Sequence, residues 1–395
     1  MLEGLPIHEF LRTYDGGGPR VHSVGRCRRH THAFDVGGPR RTLRRRPLGI
    51  SDRIGNDKGD PRAAKASSAR RSFSGLVNVA ETSRFRGCLL GLAAGDAVGT
   101  SVEFKPRGSF EPVTEMTGGG PFGLSPGEWT DDTSMALCLA ASLLEKKAFD
   151  PRDQADRYVR WWREGYMSSN GRCFDIGITI KAALEKFVKT GDPISGSSDP
   201  RKAGNGCIMR LAPVPMYFHP DEDEAVHHSG ESSRTTHGAD ECIDASRLFG
   251  SMIHRALSGE SKEDVLFSID PELVDAPKIR AIAEGSYREK GEGEIRGNGY
   301  VVNALEAALW CFDKTDTYRA AILKAANLGE DADTTAAIAG QLAGAFYGEE
   351  GIPADWLDRL VMRNEIGSMA EALMTAGESG AHAARADGTH ASRVQ

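Results

Sequence analysis

Apolar residues at helical spacing dominate the chain from about residue 81 onward. In the segment SRFRGCLLGLAAGDAVG, for example, Phe85, Leu89, Leu92 and Ala93 fall on one face of a helix. Similar patterns recur in nine further segments: 133–146, 152–164, 176–189, 239–257, 276–288, 300–311, 317–327, 334–347 and 353–363. Alternating strand patterns are nearly absent. The pattern therefore predicts one compact, multi-helix, all-α domain over residues 81–375.

The segments between these helices are rich in Gly, Pro, Asp and Ser, and three of them are long enough to form functional loops. They are residues 105–128, 190–206 and 219–238. Residues 376–395 have a small and polar composition that predicts a disordered tail.

The N-terminal part of the chain differs sharply in charge from the rest. Residues 1–71 hold 16 basic and 7 acidic residues, a net charge of +9, whereas the remainder holds 33 basic and 49 acidic residues, a net charge of −16. Breakers such as GGPRRTLRRRP interrupt the basic segment, so residues 1–80 are predicted to form a mostly disordered extension. A basic arm can bind nucleic acid, but the scarcity of aromatic residues favours a solvated tail, and nucleic acid is not an expected partner.

Cysteine usage and apolar run length indicate the compartment. The seven cysteines are scattered and contain no CxxC pair, which favours reduced thiols over a disulfide framework or a zinc site. No apolar run reaches the roughly 18 residues that cross a bilayer, and the N-terminus lacks the apolar stretch of a secretory signal. The sequence predicts a soluble cytoplasmic protein with no membrane partner.

Chemistry enters at EWTDDTSMALCLAASLL, where Thr130, Asp131, Asp132 and Thr133 precede an apolar helix. Taken alone, such residues are explained as a helix cap, since their oxygens accept the first free N–H groups and their charge opposes the helix dipole. A catalytic or binding role requires a partner elsewhere in the chain.

That partner is NLGEDADTTAAIAGQLAGA, where Asp331, Asp333 and Thr334 again precede an apolar helix. Neither cluster has a Lys or Arg within four residues. If the two helix starts face one another, four carboxylates converge and require cations. Oxygen ligands without His or Cys favour Mg²⁺ or Mn²⁺. Two independent helix caps remain the alternative.

Two weaker signals lie between residues 95 and 129. In GDAVGTSVEF, Asp96 and Glu103 add acids near the end of the first helix, although a Gly stop and a surface acid would explain them equally well. In TGGGPFGLSPGEW, a Gly-rich loop leads into the Thr130 helix and could let backbone N–H groups approach a phosphate, although such runs are frequent in ordinary loops.

Together these elements resemble the ADP-ribosylglycohydrolase family over nearly all of residues 83–348. The matching stretches are RGCLLGLAAGDAVGTSVEF, GEWTDDTSMAL, FDIGITI, AGNGCIMRLAPV, EGSYREKGEGEIRGNGYVVNALEAALW and NLGEDADTTAAIAGQLAGA. CFDIG and RGNGYVV are most similar to the branch that removes ADP-ribose from arginine, the dinitrogenase-reductase-activating glycohydrolases. Cys207 departs from the family pattern, which would have a small hydroxyl residue there, and this could alter ribose or phosphate contacts.

The resemblance implies an all-α fold with a binuclear metal centre at helix N-termini. Two divalent ions, Mg²⁺ or Mn²⁺, would be held by Thr130, Asp131, Asp132, Asp331, Asp333 and Thr334. Glu103 and Asp175 would be the catalytic carboxylates, and Asp96 would hold a ligand or loop rather than touch metal. The remaining residues implied to contact the ADP-ribose are Gly118, Gly119, Gly120, Ser195, Gly196, Asn205, Gly206, Tyr287 and Tyr300, with Tyr287 expected to stack on adenine.

The implied reaction is hydrolysis of the N-glycosidic bond between ribose and an arginine side chain, which releases ADP-ribose from modified proteins. An alternative is an immunity protein against an ADP-ribosylating toxin, which acts by occlusion as well as or instead of hydrolysis and touches the toxin through the basic extension. DADTT also matches the DxDxT motif of haloacid-dehalogenase-type phosphatases, but that motif follows a buried strand, and the preceding YRAAILKAANLGE is helical.

Overall fold

The computed structural model describes residues 78–268 and 270–391. The predicted basic extension therefore lies outside the described residues, apart from residues 78–80. Fourteen α-helices follow one another in the described part: α1 (Val79–Gly99), α2 (Asp131–Lys146), α3 (Pro151–Glu164), α4 (Ile178–Thr190), α5 (Pro213–Tyr217), α6 (Glu222–Arg234), α7 (Asp240–Leu257), α8 (Lys262–Phe267), α9 (Pro277–Ala283), α10 (Val301–Asp313), α11 (Tyr318–Ala326), α12 (Ala332–Tyr347), α13 (Ala354–Arg359) and α14 (Arg363–Ala391).

Short 3-10 turns join several of these helices, and no named strand occurs among the described residues. The turns are Thr100–Val102, Pro200–Lys202, Asn205–Cys207, Pro271–Leu273, Glu292–Glu294 and Glu349–Gly351. Backbone pairing outside the helices is limited there to isolated bridges. The predicted all-α fold is confirmed.

Four described helices, α5, α6, α8 and α14, have no counterpart among the predicted segments. Helix α6 occupies most of the segment 219–238 that was expected to be a loop. Its sequence lacks a broad apolar stripe. The helix instead begins with an Asp221 cap and buries small residues such as Ser229 and Gly230, which fit closely against α7. Small polar residues that pack by shape carry little periodic signal, which is why the helix was missed.

Two further boundaries differ from the prediction. Helix α9 ends at Ala283 rather than at residue 288, and Gly285 then adopts a positive φ of 79°. At the C-terminus, α14 continues to Ala391, through most of the predicted tail over 376–395.

Helices α1 and α12 form the central pair of the domain. Glycines spaced four residues apart on α1 meet small residues of α12 in reverse order, so the two helices are antiparallel. A Cβ on Gly91 would overlap the Gly340 carbonyl, and a Cβ on Gly95 would overlap the Ala336 carbonyl. The close approach needs these glycines, and it brings the end of α1 beside the start of α12.

Helix α2 begins beside the end of α1 and the start of α12. It is buried from Asp131 to Leu143, and the preceding Trp129 is also buried.

The six described cysteines are free thiols, five of them buried. Among the described helices, none combines the length and the apolar character that crossing a membrane would require.

Candidate active site

Asp96, on the last turn of α1, ties the start of α2 to the central helix pair. Its fully buried carboxylate accepts hydrogen bonds from the Thr130 N–H and hydroxyl, both at 2.9 Å, and from the Thr133 N–H at 3.1 Å and hydroxyl at 2.6 Å. Burial raises the pKa of Asp96 to about 6, and these four hydrogen bonds hold it from rising further. Asp96 thus fixes the loop that carries Asp131 and Asp132.

The Thr130 hydroxyl lies among more acceptors than it can satisfy. Besides Asp96, it lies 3.2 Å from Asp132 Oδ2 and 3.3 Å from Asp333 Oδ2, while the Thr334 hydroxyl lies 3.4 Å from the same Asp132 oxygen. Two hydroxyl protons cannot satisfy all these carboxylate oxygens. Asp132 Oδ1 and Asp333 Oδ1 are buried and have no hydrogen-bond partner at all. The two acid-threonine helix starts therefore do face one another.

The electrostatics of this cluster require compensation. Burial first, and then the neighbouring carboxylates, raise the pKa values of Asp131, Asp132 and Asp333 well above the usual range. The pKa of Asp331 is also raised by burial, in opposition to a hydrogen bond from Asn205. Either protons or metal cations must neutralise such a group of carboxylates.

The donor set fits a hard divalent cation. Carboxylate oxygens of Asp96, Asp132 and Asp333 lie within 4.8 Å of one another, and so do those of Glu103, Asp175 and Asp333. All of these ligand atoms are oxygens, which suits Mg²⁺ or Mn²⁺. The unpartnered oxygens of Asp132 and Asp333 are the ones left available for metal.

Glu103 is held over this cluster by a two-bond link between loops. The Phe104 N–H donates to the Glu330 carbonyl at 2.7 Å, and the Glu330 N–H donates to the Lys105 carbonyl at 2.8 Å. Phe104 and Glu330 both have a positive φ, 61° and 59°, which is costly for residues other than glycine. Burial and then the Asp175 charge raise the pKa of Glu103 to about 10.

Asp175 approaches the same cluster from the loop before α4. It is half-buried and has a φ of 59°, another left-handed conformation outside glycine. Burial, followed by the charges of Asp331 and Asp96, raises the pKa of Asp175 to about 7. Asp175 is therefore poised between its acid and base forms near neutral pH.

A cavity of about 780 Å³ opens directly above these carboxylates. Its walls bring together seven of the residues predicted from sequence: Glu103, Asp131, Asp175, Asn205, Gly206, Asp331 and Thr334. The Asn205 amide donates to Asp331 Oδ2 at 2.7 Å, so the cavity wall also supports the start of α12.

A second cavity, of about 370 Å³, shares Thr179 with the first. The predicted residues Ser195 and Gly196 line it, together with Lys186 and Lys202. Lys186 and Lys202 give this space a positive lining, whereas the Ser195 hydroxyl and the Gly196 N–H already donate to the Asp192 and Arg234 carbonyls.

Other predicted contact residues lie elsewhere. Gly118, Gly119 and Gly120 line neither of these cavities, and Gly120 packs against the Thr100 carbonyl beneath the Glu103 turn. The Tyr287 ring is fully buried beside Phe267, so no face is free to stack on adenine. The Tyr300 hydroxyl donates to Glu241 at 2.6 Å and accepts from Lys278 at 2.7 Å.

Most other cavity residues were not predicted from the sequence, and three of them stand out by their side chains. His237 lies on the wall beside Gly204 and Gly206, and Phe104 and Ile178 expose most of their apolar surface at the mouth. TTHGAD offered a His-Gly loop before a helix as the only signal for His237. Phe104 and Ile178 offered none, since single apolar residues in loops are common.

Comparison with known proteins places this geometry in a family. The family model described as ADP-ribosylglycohydrolase matches residues 78–382, which contain every carboxylate of the cluster. The chain belongs to the ADP-ribosylglycohydrolase family. The resemblance seen in the sequence is confirmed, as is the expectation of a hydrolase.

Relatives of this ADP-ribosylglycohydrolase include the ADP-ribosylarginine hydrolase Tri1 of Pseudomonas putida, 46% identical over 73% of this chain and 77% of the relative. Tri1 of Serratia proteamaculans is 45% identical over 73% and 78% of the two chains. The ADP-ribosyl-[dinitrogen reductase] glycohydrolase of Rhodospirillum rubrum is 31% identical over 74% and 95%. A solved structure titled "ADP-ribosylglycohydrolase-related protein complex" superposes with a TM-score of 0.68 at 42% identity, covering 75% of this chain and 99% of that one.

Proposed function

We propose that this glycohydrolase removes ADP-ribose from arginine side chains of modified proteins, with two divalent cations held between α2 and α12. The observation that carries the proposal is the ring of buried carboxylates with unpartnered oxygens, which lies beneath the large cavity and beside Asp175. The similarity to two proteins named ADP-ribosylarginine hydrolase supports the choice of linkage.

The residues proposed to hold the cations are those at the two helix starts: Thr130, Asp131, Asp132, Asp331, Asp333 and Thr334. Asp96 serves a different purpose, because each of its oxygens already accepts two hydrogen bonds from Thr130 or Thr133. When bound, divalent cations anchor ribose hydroxyls and lower the pKa of a water molecule toward neutrality.

Glu103 and Asp175 supply the proton chemistry of the proposed reaction. Cleavage of the N-glycosidic bond builds positive charge on the ribose, and guanidine leaves readily only when protonated. Glu103 is buried above the carboxylate ring, whereas Asp175 is half-buried at the cavity wall. Asp175 can therefore pair with the guanidinium of an entering arginine side chain and stabilise the developing ribose cation.

The two cavities suit the two ends of the ADP-ribose. In this proposal the scissile ribose binds over the carboxylates at the floor of the larger cavity, where Asn205 and Gly206 form the adjoining wall. The diphosphate then extends toward the smaller cavity, where Lys186 and Lys202 provide charged donors. The Ser195 hydroxyl and the Gly196 N–H shape that wall without offering a free proton, because they already donate to the Asp192 and Arg234 carbonyls at 2.6 and 3.0 Å. Cavities of this size are typical of small-molecule sites.

The deciding experiment measures release of ADP-ribose from arginine-, serine- and cysteine-linked substrates, each with Mg²⁺, Mn²⁺ or EDTA. Arginine-linked ADP-ribose should be cleaved at least about tenfold faster than serine-linked, because only the arginine substrate offers a cation to Asp175, and tenfold corresponds to about 1.4 kcal/mol in barrier. Full activity after EDTA treatment and dialysis would contradict the metal proposal.

The contribution of Asp175 is tested by Asp175→Ala, with Glu330→Gln as the matched control. Glu330 also lines the large cavity but belongs to neither of the close carboxylate groups. Asp175→Ala should remove most of the arginine-linked rate, about 100-fold or more, while ADP-ribose still binds. Normal turnover in that variant would leave Asp175 without a catalytic role.

We also propose that the basic extension contacts a protein partner, such as an ADP-ribosylating toxin that the protein would neutralise. The net charge of +9 in residues 1–71, outside the family match, supports this proposal. Capture of such an enzyme by the full chain, and not by a chain starting at Val79, would support it. Equal capture by both would place the contact on the helical domain.

A further inference from the structure

Arg210 is a fully buried cation without a carboxylate partner among the described residues. Its guanidinium donates to the Gly206 carbonyl at 2.7 Å and to the Thr236 hydroxyl at 2.7 Å, and it lies 4.9 Å from the centre of the Tyr158 ring. Burying a charge among neutral groups is unfavourable. Gly206 lines the large cavity, and Thr236 lies next to His237, which also lines it.

The first bond supports the cavity wall directly. Gly206 lies in the 3-10 turn Asn205–Cys207, which lines the large cavity and whose Asn205 holds Asp331. The guanidinium therefore fixes one carbonyl of the turn that bridges the cavity and the start of α12.

The second hydrogen bond determines which nitrogen of His237 carries the proton. Thr236 Oγ1 accepts from Arg210 and lies 2.8 Å from His237 Nδ1, with no other acceptor in reach. A hydroxyl has one proton and two acceptor lone pairs. Because Nδ1 is the only remaining hydrogen-bond partner of this buried hydroxyl, its proton is satisfied only if it is donated to Nδ1. The His237 Nδ1 therefore carries a lone pair.

His237 is neutral, because burial and the Arg210 charge lower its pKa to about 3. A neutral imidazole with an unprotonated Nδ1 carries its proton on Nε2. This atom faces the two cavity glycines: a Cβ on Gly204 would lie 3.1 Å from Nε2, and a Cβ on Gly206 would lie 2.8 Å from Cε1. Glycine at both positions therefore leaves room for the ring at the cavity wall, where His237 lines the cavity although it is only 2% exposed.

We propose that Arg210 is a positioning residue, which acts through the Thr236 hydroxyl to hold His237 as the Nε2–H tautomer and so presents a fixed neutral donor to an acceptor oxygen of the bound ADP-ribose. The identity of that ligand rests on the proposed function. The same guanidinium sets the Gly206 carbonyl, so one buried cation orients two groups on the cavity wall.

The tautomer is tested first, on the unligated full chain. Nitrogen-15 NMR of histidine-labelled protein, with the His237 signals assigned by their loss in His237→Gln, should show a protonated Nε2 and an unprotonated, hydrogen-bonded Nδ1. A protonated Nδ1 would overturn the proposal. This measurement needs no turnover, so an enzyme that released no ADP-ribose would contradict the proposed function and leave the tautomer result standing.

Binding is tested with three threonine variants and ADP-ribose as the titrant. Thr236→Val removes the hydroxyl, Thr236→Ser keeps it, and Thr235→Val is the matched control. The Thr235 hydroxyl is also buried and lies 3.4 Å from Arg210, but it donates to the Ser232 carbonyl and does not contact His237.

Thr236→Val should raise the Kd for ADP-ribose about tenfold, while Thr236→Ser and Thr235→Val should change it less than about twofold. In turnover, Thr236→Val should raise KM with kcat little changed, because a fixed donor binds substrate and transition state alike. Equal effects of Thr236→Val and Thr235→Val, or a loss confined to kcat, would overturn the proposal. Arg210→Lys should match Thr236→Val, since one ammonium cannot reproduce the planar fork; if that variant does not fold, the threonine variants still decide.

Discussion

The two acid-threonine helix starts look alike in sequence but are supported in different ways. At the start of α2, Thr130 and Thr133 are held by Asp96, which is fully buried on α1. At the start of α12, Asp331 is half-buried, accepts from the Asn205 side chain at 2.7 Å, and donates its N–H to the Gly297 carbonyl at 2.9 Å. One helix start is anchored in the core and the other in the wall of the cavity.

Because of this difference, mutations at the two helix starts should affect stability and activity to different extents. Changes to the core-anchored start should affect stability and metal affinity together, because Asp96 also joins α1 to α2. Changes to the wall-anchored start should affect activity with less effect on stability, because Asn205 and Gly297 lie in loops.

Asp132→Asn and Asp333→Asn should each lower kcat/KM by about 1,000-fold or more, because each removes a buried charge proposed to hold metal. Both helix starts should be equally sensitive, whatever supports them. Asp240→Asn is the control, since it removes an exposed acid from the start of α7 and should cost at most about 1 kcal/mol of helix-dipole stabilisation. Steady-state kinetics measure the effect, and circular dichroism checks that the variants fold. Substantial activity in either cluster variant would show that the substituted residue does not hold the metal.

Asp96→Asn should lower the free energy of unfolding by about 2 kcal/mol, because an amide nitrogen would then face the donors of Thr130 or Thr133. Activity should fall with it, as the α2 start loosens. Chemical denaturation and metal titration measure the two effects. Unchanged stability with lost metal binding would show instead that Asp96 is itself a ligand.

Asn205→Ala should lower kcat/KM about tenfold with little change in melting temperature, because it frees the Asp331 carboxylate but leaves the Asp331 N–H bonded to Gly297. Asn205→Asp places another acid beside Asp331 and should weaken turnover more than the alanine variant. If Asn205→Ala were as destabilising as Asp96→Asn, the contrast between the two helix starts would not hold.

The metal-free protein should lose stability as pH rises from about 4 to 7, between the unfolded and the folded pKa values of its buried carboxyls. Burial raises the folded pKa values of Asp96 to about 6 and of Asp175 to about 7, above those of the unfolded chain. Groups with raised pKa values stabilise the fold while protonated, and that contribution disappears as pH passes through the folded values. Melting temperatures in EDTA should fall by about 5 °C over this range, and added Mg²⁺ or Mn²⁺ should restore most of the loss. A flat pH profile in EDTA would contradict the raised pKa values.

Local chemistry explains what could be predicted from the sequence. The apolar spacing gave ten of the fourteen described helices, because long buried faces leave a strong periodic signal. The recurrence of an acid-threonine cluster before an apolar helix predicted a shared centre, because unpaired carboxylates need cations. Helix α6 was missed because it packs through small polar residues. The burial of Tyr287, in the turn after α9, was missed because a single aromatic residue in such a segment gives no indication of whether it meets solvent.

What the sequence determined by itself is the set of helices and the acidic residues at their ends, since both depend on neighbours within a few positions. The tertiary packing sets the rest: which acids share unpartnered oxygens, which loops form the cavity, and where the buried Arg210 directs its hydrogen bonds. Those arrangements depend on the close approach of α1 and α12 and on contacts between residues more than 100 positions apart, such as that between Asn205 and Asp331. Local pattern carries no information on such contacts, because each partner has an ordinary explanation in its own segment.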